Sequence, residues 1–337
     1  MPNYILSARK IRNGQFIAEP GKPRFLKSPG RRNPIPGHEI TRNQWIDEVR
    51  DVADGQGDDR VSNVGDILIF VHGYNNSAEI IRQRHEALQK TLAAKKWKGL
   101  VVSFDWPSDD YTLNYYEDRA DAAKTARYLV DEGIGLIMKA QRAGCGTNIH
   151  LLGHSTGAYV IMEAFSAADK EGSFYKSDWR IGQVAFIGGD VASRSIAADS
   201  ESAAPMYKRI MRLTNYQNGF DFVLAASNAK RLGTAPRVGR VGLGENPHPK
   251  TVNVDCSNFY DSVDSDKQTL KFGTWAHSWH IGNPVFALDL AMTLEGRIDR
   301  NYLPTRKDVN GELHLQKGSR PRFEQKLLNL NEPRFIG

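Results

Sequence analysis

The sequence predicts an α/β fold built on an open, mostly parallel sheet with helices on both faces. Six short apolar runs recur after residue 65, with helical stretches between them. Continuous apolar runs are typical of strands covered on both faces, and intervening helices supply the crossovers that parallel strands need. A third observation is the pattern Gly-x-Ser-x-Gly at residues 153–157, which lies where one of these runs meets a helical segment.

The strands can be placed in chain order. Residues 4–11 and 15–18 predict a hairpin, which is followed by a Pro/Gly/Arg-rich loop over 20–36 and a short helix over 44–54. Together with this hairpin, the apolar runs predict eight strands. The runs are 66–71, 99–104, 148–152, 183–188, 209–215 and 251–254.

Helical periodicity predicts the connections between these strands. On this basis residues 1–60 form an N-terminal hairpin, basic loop and short helix attached to the core. Residues 61–297 form the core, and the polar residues 298–337 form a C-terminal surface extension. The helical segments are 78–94, 117–142, 156–168 and 285–294.

The composition is that of an ordinary globular protein, with 40% hydrophobic and 25% charged residues among 337. This excludes collagen, long coiled coils and wholesale disorder. The net charge is +6, and six basic residues fall between positions 20 and 45. That segment has two aromatic residues, Phe25 and Trp45, and no groove-binding motif, so we expect a solvated arm and no nucleic-acid partner.

The two cysteines, Cys145 and Cys256, are 111 positions apart and have no short Cys/His spacing around them. Neither a disulfide framework nor a zinc site is predicted, and a reducing compartment fits best. No apolar run has the length of a signal peptide or of a membrane span. We therefore expect a cytoplasmic protein without a transmembrane segment.

Residues 148–157 place a serine at a strand-to-helix turn. The run NIHLL leads into Gly153, and the residues after Gly157 have helical spacing. A serine on such a turn is presented at the end of a buried strand, where the helix N-terminus directs unpaired N–H groups and a positive dipole towards it. We predict Ser155 as a nucleophile.

A serine nucleophile needs a histidine base that is oriented by a carboxylate. In this kind of fold the three residues follow in the order serine, acid, histidine. Ser155, Asp221 and His277 have this order, and Asp221 follows a predicted strand across a short turn. Asp190, which also ends a strand, and the more distant Asp255 are the alternative acids.

A second histidine, His280, competes with His277 for the role of base. The two lie three positions apart, so on one helical turn they would point in similar directions. The base should lie in the loop before the last helix, and His277 is nearer to that loop. We predict His277 as the base, with His280 lining the substrate side or packing on Trp279.

The stretch HGYN at 72–75 follows the first inner strand. A glycine there lets the chain turn so that the N–H of Tyr74 faces the site, and the N–H of Thr156 supplies the second donor of an oxyanion hole. Aromatic residues near the same edge predict an apolar acyl pocket. The candidates for substrate contact are Tyr74, Trp106, Tyr115, Tyr116, Phe220, Phe222, Trp279 and His280.

Six ordered segments carry a family resemblance: ILIFVHGYNNS, SFDWPS, LLGHSTG, IGGDV, TNYQNGFD and AHSWHIGNPVF. Over about residues 4–306 the chain resembles an α/β-hydrolase family of largely uncharacterised bacterial proteins. The resemblance implies the α/β-hydrolase fold, with a mostly parallel eight-stranded sheet and helices on both faces. It also implies Ser155, Asp221 and His277 as nucleophile, acid and base.

The leading functional interpretation is a serine hydrolase that cleaves carboxylic esters through an acyl-enzyme on Ser155, with no cofactor or metal. A thioesterase or amidase would use the same triad, because specificity resides in the pocket walls. The alternative from another class is a non-catalytic binding protein on the same fold, with the basic arm holding an anionic partner. A complete candidate triad argues against it, so we expect a small-molecule ester or acyl substrate.

Overall fold

The computed structural model describes residues 1–55, 65–74, 76–108, 124–140, 146–171, 179–225, 235–263 and 275–322. Within these ranges a single sheet runs through the chain from its N-terminal hairpin to residue 315. Its strands are β1 Asn3–Arg12, β2 Gln15–Ser28, β3 Asp66–Val71, β4 Gly99–Asp105, β5 Ile149–His154, β6 Ile181–Ile187, β7 Ile210–Gln217, β8 Thr251–Asp255, β9 Arg306–Val309 and β10 Glu312–Leu315.

The sheet order is β2-β1-β4-β3-β5-β6-β7-β8-β10-β9. All neighbouring pairs among the described strands are parallel except the two at the edges, β1 with β2 and β10 with β9. The predicted mostly parallel sheet is confirmed, but the predicted count of eight strands is wrong. The sheet has ten because residues 306–315 add a polar edge hairpin beside β8, and short exposed strands lack the apolar runs that mark buried ones.

The N-terminal hairpin is longer than predicted, because β2 continues to Ser28 through the first part of the expected loop. Two prolines, Pro20 and Pro23, lie within this strand. Proline is tolerated at a sheet edge, where one side of the strand has no ladder partner, and β2 is the edge strand. The proline-rich stretch therefore forms part of an edge strand, which pairs with β1 on one side only.

The helices cover both faces of the sheet, and none in the described residues is long and apolar enough to cross a membrane. The predicted helix over 117–142 lies partly outside the described residues, and its described part from residue 124 is helical, with a π-helical segment at Leu129–Ile134. The α-helices are α1 Arg42–Asp54, α2 Ala78–Ala94, α3 Gly135–Ala140, α4 Gly157–Glu171, α5 Ala204–Arg209, α6 Val238–Val241, α7 Ser257–Asp261, α8 Trp275–Ser278 and α9 Pro284–Glu295.

Strand β3 shows why the central strands are apolar throughout. Ile67, Ile69 and Val71 pack on the face covered by α1, α3 and α4, whereas Leu68 and Phe70 pack on the face covered by α2 and α9. Burying each such side chain stabilises the fold by about 1.5–3 kcal/mol. Because both faces are covered, the polar groups of the protein collect at the strand ends, where the loops lie.

A buried ion pair anchors the C-terminal hairpin to α9. Arg306 in β9 and Asp289 in α9 are both fully buried and lie 2.6 Å apart. Tyr216 and Thr305 donate hydrogen bonds to the same carboxylate, at 2.7 and 2.6 Å. Removing one partner of a buried, hydrogen-bonded ion pair is strongly destabilising, because the other charge is left buried and unpaired. This contact therefore holds a polar edge hairpin in place without an apolar run.

Candidate active site

Ser155 lies in the turn between β5 and α4, with a backbone φ of +55°. A left-handed φ is uncommon for a residue other than glycine and is a feature of strained functional turns. Two backbone hydrogen bonds hold the turn against the end of β6: Ser155 N donates to Ile187 O, and Asp190 N donates to Ser155 O, both at 3.0 Å. The side chain is 8% exposed, so it is presented at the strand ends in a sheltered position.

Two glycines allow the neighbouring segments to approach this turn. A Cβ on Gly73, in the loop after β3, would lie 2.6 Å from the Ser155 Cβ. A Cβ on Gly188, just after β6, would lie 3.1 Å from the Nδ1 and Cε1 atoms of His277. The backbone of Ser155 is hydrogen-bonded to Ile187, which precedes Gly188, and to Asp190, which lies two residues after it. The loop after β3, the serine turn and the His277 ring therefore converge at one place.

The carboxylate of Asp221 meets the ring of His277, with Nδ1 donating to Oδ2 at 2.7 Å. Asp221 is completely buried and His277 is 7% exposed. The second carboxylate oxygen accepts the backbone N–H of Leu224 at 3.1 Å, so Asp221 also caps a helical turn after β7. Since Nδ1 carries the proton, the lone pair of the neutral ring is on Nε2, which is the arrangement that a general base requires.

The alternative acids make other contacts. The carboxylate of Asp190 forms an ion pair with Arg237 at 3.3 Å. Asp255 accepts the backbone N–H of Ser257 at 2.7 Å. Of the three candidates, Asp221 is the one whose carboxylate the structure brings to within hydrogen-bond distance of His277 Nδ1.

The two candidate histidines do not share a helical turn, because α8 ends at Ser278 and His280 lies in the turn beyond it. His280 is 1% exposed and packs against Trp279 and Phe286, with ring centroids 4.3 and 5.2 Å away. Among the described residues, neither of its nitrogens has a hydrogen-bond partner. Burial, together with the nearby His277, lowers the pKa of His280 well below its usual value, so this ring is a neutral, packed group.

Buried side chains support the loop after β3, which carries the predicted oxyanion-hole donor Tyr74. His72 is fully buried and stacks on Trp106 with a centroid separation of 5.4 Å, and Trp106 Nε1 donates to the His72 carbonyl at 2.7 Å. Asp105 accepts from His72 Nε2 at 3.3 Å and from Arg9 Nε at 2.7 Å. Burial alone would raise the pKa of Asp105, but Arg9 and His72 outweigh it and lower the pKa to about 2. The N-terminal hairpin thus reaches the site through Arg9.

Tyr74 follows Gly73 directly and is partly exposed, and Thr156 follows Ser155 at the start of α4. Both candidate N–H donors therefore belong to the segments that converge on Ser155.

The predicted pocket walls fall into two groups. Trp106, Trp279 and His280 are at most 1% exposed and pack in the interior. Phe220 and Phe222, on either side of Asp221, are 39% and 67% exposed, so their rings are free to contact a substrate. The remaining candidates, Tyr115 and Tyr116, lie outside the described residues.

A polar cluster behind the site was not among the residues predicted from the sequence. Arg84 and Asn76 are 5% and 1% exposed, and Arg84 contacts residues next to both Ser155 and His277. A signal was present, because Arg84 lies on the stripe of α2 that also carries Ile81, Leu88 and Leu92. A cation on the apolar face of a helix is unusual and points to a specific role. In the described part of the chain, no three His, Cys, Asp or Glu side chains are grouped to hold a metal ion.

The buried histidines are expected to make the fold less stable in acid. Burial lowers the pKa of His85 to about 4, and burial also lowers the pKa values of His72, His154 and His280. The unfolded chain gains protons near pH 6.5, before the folded one does. We therefore expect the free energy of unfolding to be highest above about pH 6.5 and to decrease as the pH drops towards 4. The decrease is about 3 kcal/mol for a group whose pKa is shifted as far as that of His85.

Urea denaturation at pH 7 and pH 5 measures this loss. His85→Asn is the matched variant, because the asparagine amide places a polar atom near the position of His85 Nδ1, which is 2.8 Å from Ser103 Oγ, without titrating. We expect a smaller loss of stability between the two pH values in His85→Asn than in the wild type. Equal losses would contradict the assignment.

The ten-stranded, mostly parallel sheet, the serine turn after β5 and the buried acid–histidine pair define an α/β hydrolase. Residues 57–270 match the model of the family described as alpha/beta hydrolase of unknown function (DUF900), and the chain belongs to this family. The predicted family resemblance and fold are thereby confirmed.

Comparison with solved structures finds distant hydrolases. An esterase from Pyrobaculum calidifontis is 14% identical, with a TM-score of 0.33, covering 68% of this chain and 76% of its own. A lipase-esterase related protein from Clostridium acetobutylicum is 12% identical, with a TM-score of 0.33, covering 69% and 94%. A cutinase-like protein from Cryptococcus sp. is 14% identical, with a TM-score of 0.31, covering 68% and 94%. Comparison with curated proteins finds no significant match.

Proposed function

We propose that the protein is a serine hydrolase that cleaves carboxylic esters through an acyl-enzyme on Ser155, with His277 as base and Asp221 as the orienting acid. The observation that carries this proposal is the buried Asp221–His277 hydrogen bond of 2.7 Å, next to a serine at φ +55° on a strand-to-helix turn. A buried carboxylate on Nδ1 leaves the Nε2 lone pair to activate a hydroxyl.

In the acylation step, His277 Nε2 takes the proton of the Ser155 hydroxyl while Oγ forms a bond to the ester carbonyl carbon. The negative charge that develops on the carbonyl oxygen is stabilised by the backbone N–H groups of Tyr74 and Thr156. The tetrahedral intermediate collapses as the C–O bond to the alcohol breaks, and the imidazolium of His277 returns its proton to the leaving alcohol.

In the deacylation step, His277 removes a proton from water, and the hydroxide adds to the acyl carbon. The bond to Ser155 Oγ breaks, Oγ regains a proton from His277, and the carboxylic acid leaves. Asp221 stabilises the imidazolium in both steps because its buried carboxylate accepts the Nδ1 proton. The exposed rings of Phe220 and Phe222 favour an apolar acyl or alcohol group at the rim.

Covalent labelling tests the proposal directly. We expect a fluorophosphonate probe to add one phosphonyl group at Ser155, because these reagents trap an activated serine at an oxyanion hole. Mass spectrometry of the digested protein locates the adduct. Ser155→Ala is the matched control and should remain unlabelled; an unlabelled wild-type protein with an intact fold would refute the proposal.

A second assay distinguishes esters from thioesters and amides as the substrate class. A chain-length panel of esters is compared with thioesters and activated amides of the same acyl group, using kcat/KM for each. We expect the esters to give the highest values. Higher values for a thioester or an amide would keep the same residues in the same roles but move the protein to that class of hydrolase.

A further inference from the structure

Arg84 is a buried guanidinium that has no carboxylate partner among the described residues. It is 5% exposed and lies in α2, and in the described part of the chain its Nε atom has no hydrogen-bond partner. Burial lowers its pKa to about 10, so the side chain remains charged at neutral pH. A buried charge is costly unless it is paired. The other buried arginines in the described residues all pair with acids: Arg9, Arg237, Arg306 and Arg320.

The polar partners of Arg84 come from three different segments of the site. Its Nη1 lies 2.7 Å from Asn76 Oδ1 and 3.3 Å from His154 Nδ1. Its Nη2 donates to Ser278 Oγ at 3.2 Å. Asn76 belongs to the loop after β3, His154 immediately precedes Ser155, and Ser278 immediately follows His277. One side chain therefore joins the oxyanion loop, the nucleophile turn and the loop of the base.

The contact through Asn76 reaches the oxyanion loop itself. The Asn76 side-chain amide donates to the carbonyls of Gly73 and Tyr74, at 2.5 and 3.0 Å. A carboxamide whose oxygen accepts from Arg84 has both of its N–H bonds available for these carbonyls. Arg84 thus fixes the orientation of the amide that shapes the turn around Tyr74.

The contact through His154 reaches the base. A guanidinium donates hydrogen bonds but cannot accept them, so His154 Nδ1 is the acceptor and its proton is on Nε2. That proton faces the backbone carbonyl of His277, 3.2 Å away. Burial and the charge of Arg84 lower the pKa of His154 well below its usual value. The neutral His154 ring therefore connects Arg84 to the backbone of His277 through two hydrogen bonds.

From this arrangement we propose that Arg84 is a positioning residue for the hydrolysis: it holds the loop of Tyr74 and the loop of His277 in register around Ser155. The role rests on the proposed function. Arg84 contacts the supports of the reacting groups and not the substrate, so its removal should lower kcat and leave KM nearly unchanged. Misplacement of catalytic groups by about 1 Å can cost about 10²-fold in rate.

The test compares kcat and KM of Arg84→Met, Arg84→Lys and the wild type on one activated ester. We expect Arg84→Met to lower kcat about 10²-fold with KM within about threefold. Arg84→Lys keeps the charge, but an ammonium cannot serve all three acceptors in the geometry of the guanidinium fork, so we expect a loss of about tenfold. Arg82→Met is the matched control, because Arg82 lies on the same helix and pairs with Glu79 and Glu86.

The outcomes are distinct. An active wild-type protein with unchanged kcat in folded Arg84→Met overturns the positioning role and leaves the proposed function standing. A wild-type protein that is neither labelled by fluorophosphonate nor active on any substrate overturns both. Loss of kcat in Arg84→Met with partial rescue in Arg84→Lys, and none in Arg82→Met, supports the role.

A spectroscopic measurement on the wild-type protein does not depend on how the variants fold. The imidazole 15N spectrum of histidine-labelled protein reports which ring nitrogen carries the proton. We expect His154 as the neutral Nε2–H tautomer at pH 7, because Nδ1 accepts from Arg84. If Arg84→Met does not fold, this spectrum and the Arg84→Lys kinetics decide: an Nδ1–H tautomer or an undiminished kcat in Arg84→Lys overturns the proposal.

Discussion

Replacing His277 with alanine should lower turnover by about 10⁴-fold or more, whereas replacing His280 should leave at least about a tenth. The difference follows from geometry. His277 Nδ1 donates to the buried carboxylate of Asp221 at 2.7 Å, which orients the ring and stabilises its protonated form. In the part of the chain that the structure describes, His280 has no hydrogen-bond partner and packs between Trp279 and Phe286, so no carboxylate there stabilises a charge on it.

The measurement uses kcat for one activated ester, with each variant checked for an intact fold by circular dichroism. His280→Ala leaves a cavity, which destabilises a core in proportion to its volume. His280→Phe is therefore included as a variant that fills the space with an uncharged ring. If the His280 variants were inactive while His277→Ala retained activity, the base would be reassigned to His280.

Asp221→Asn should lower kcat by about 10³- to 10⁴-fold while the fold is retained. The structure indicates that the fold should tolerate this substitution. Asp221 Oδ1 accepts the Leu224 N–H, and the amide oxygen of asparagine can do the same. The amide N–H₂ then faces His277 Nδ1, which reverses this hydrogen bond and favours the wrong tautomer of the ring.

Two other aspartates provide the comparison for this experiment. Asp190→Asn breaks the ion pair with Arg237, so a lower thermal stability is expected. The kcat of the folded protein should be retained within about tenfold, because the carboxylate that meets the His277 ring is that of Asp221. Asp255→Asn, at the end of β8, should leave kcat unchanged. A loss confined to Asp190→Asn would transfer the role of acid to Asp190.

The central strands and the serine turn were predictable because each depends on local patterns. The run at 66–71 coincides with β3, and the helix over 78–94 coincides with α2. The edge strands were not predictable in the same way. β2 contains Pro20 and Pro23, and β9 exposes three of its four residues, so neither carries the apolar signal that burial on two faces produces.

The assignment of individual side chains in the site needed the fold. Asp221 and Asp190 both end strands, and only the positions of their carboxylates separate them: one meets His277 and the other meets Arg237. His277 and His280 were expected to point in similar directions if they shared a helical turn, but α8 ends at Ser278. Arg84 was not predicted as a site residue, although it lies on the apolar stripe of α2.

The sequence by itself determined the fold class, the position of Ser155 on a strand-to-helix turn, and the order of the candidate nucleophile, acid and base along the chain. These follow from hydrophobic periodicity and from the rule that the carboxyl ends of parallel strands share one edge. Only the tertiary structure decided that Asp221 pairs with His277, that His280 is a packed neutral ring, and that Arg84 connects three loops. The physical reason is that hydrogen bonds and ion pairs depend on distances of a few ångströms between residues that are far apart in the sequence, such as Arg84 and Ser278, which are 194 positions apart. No local pattern encodes such distances.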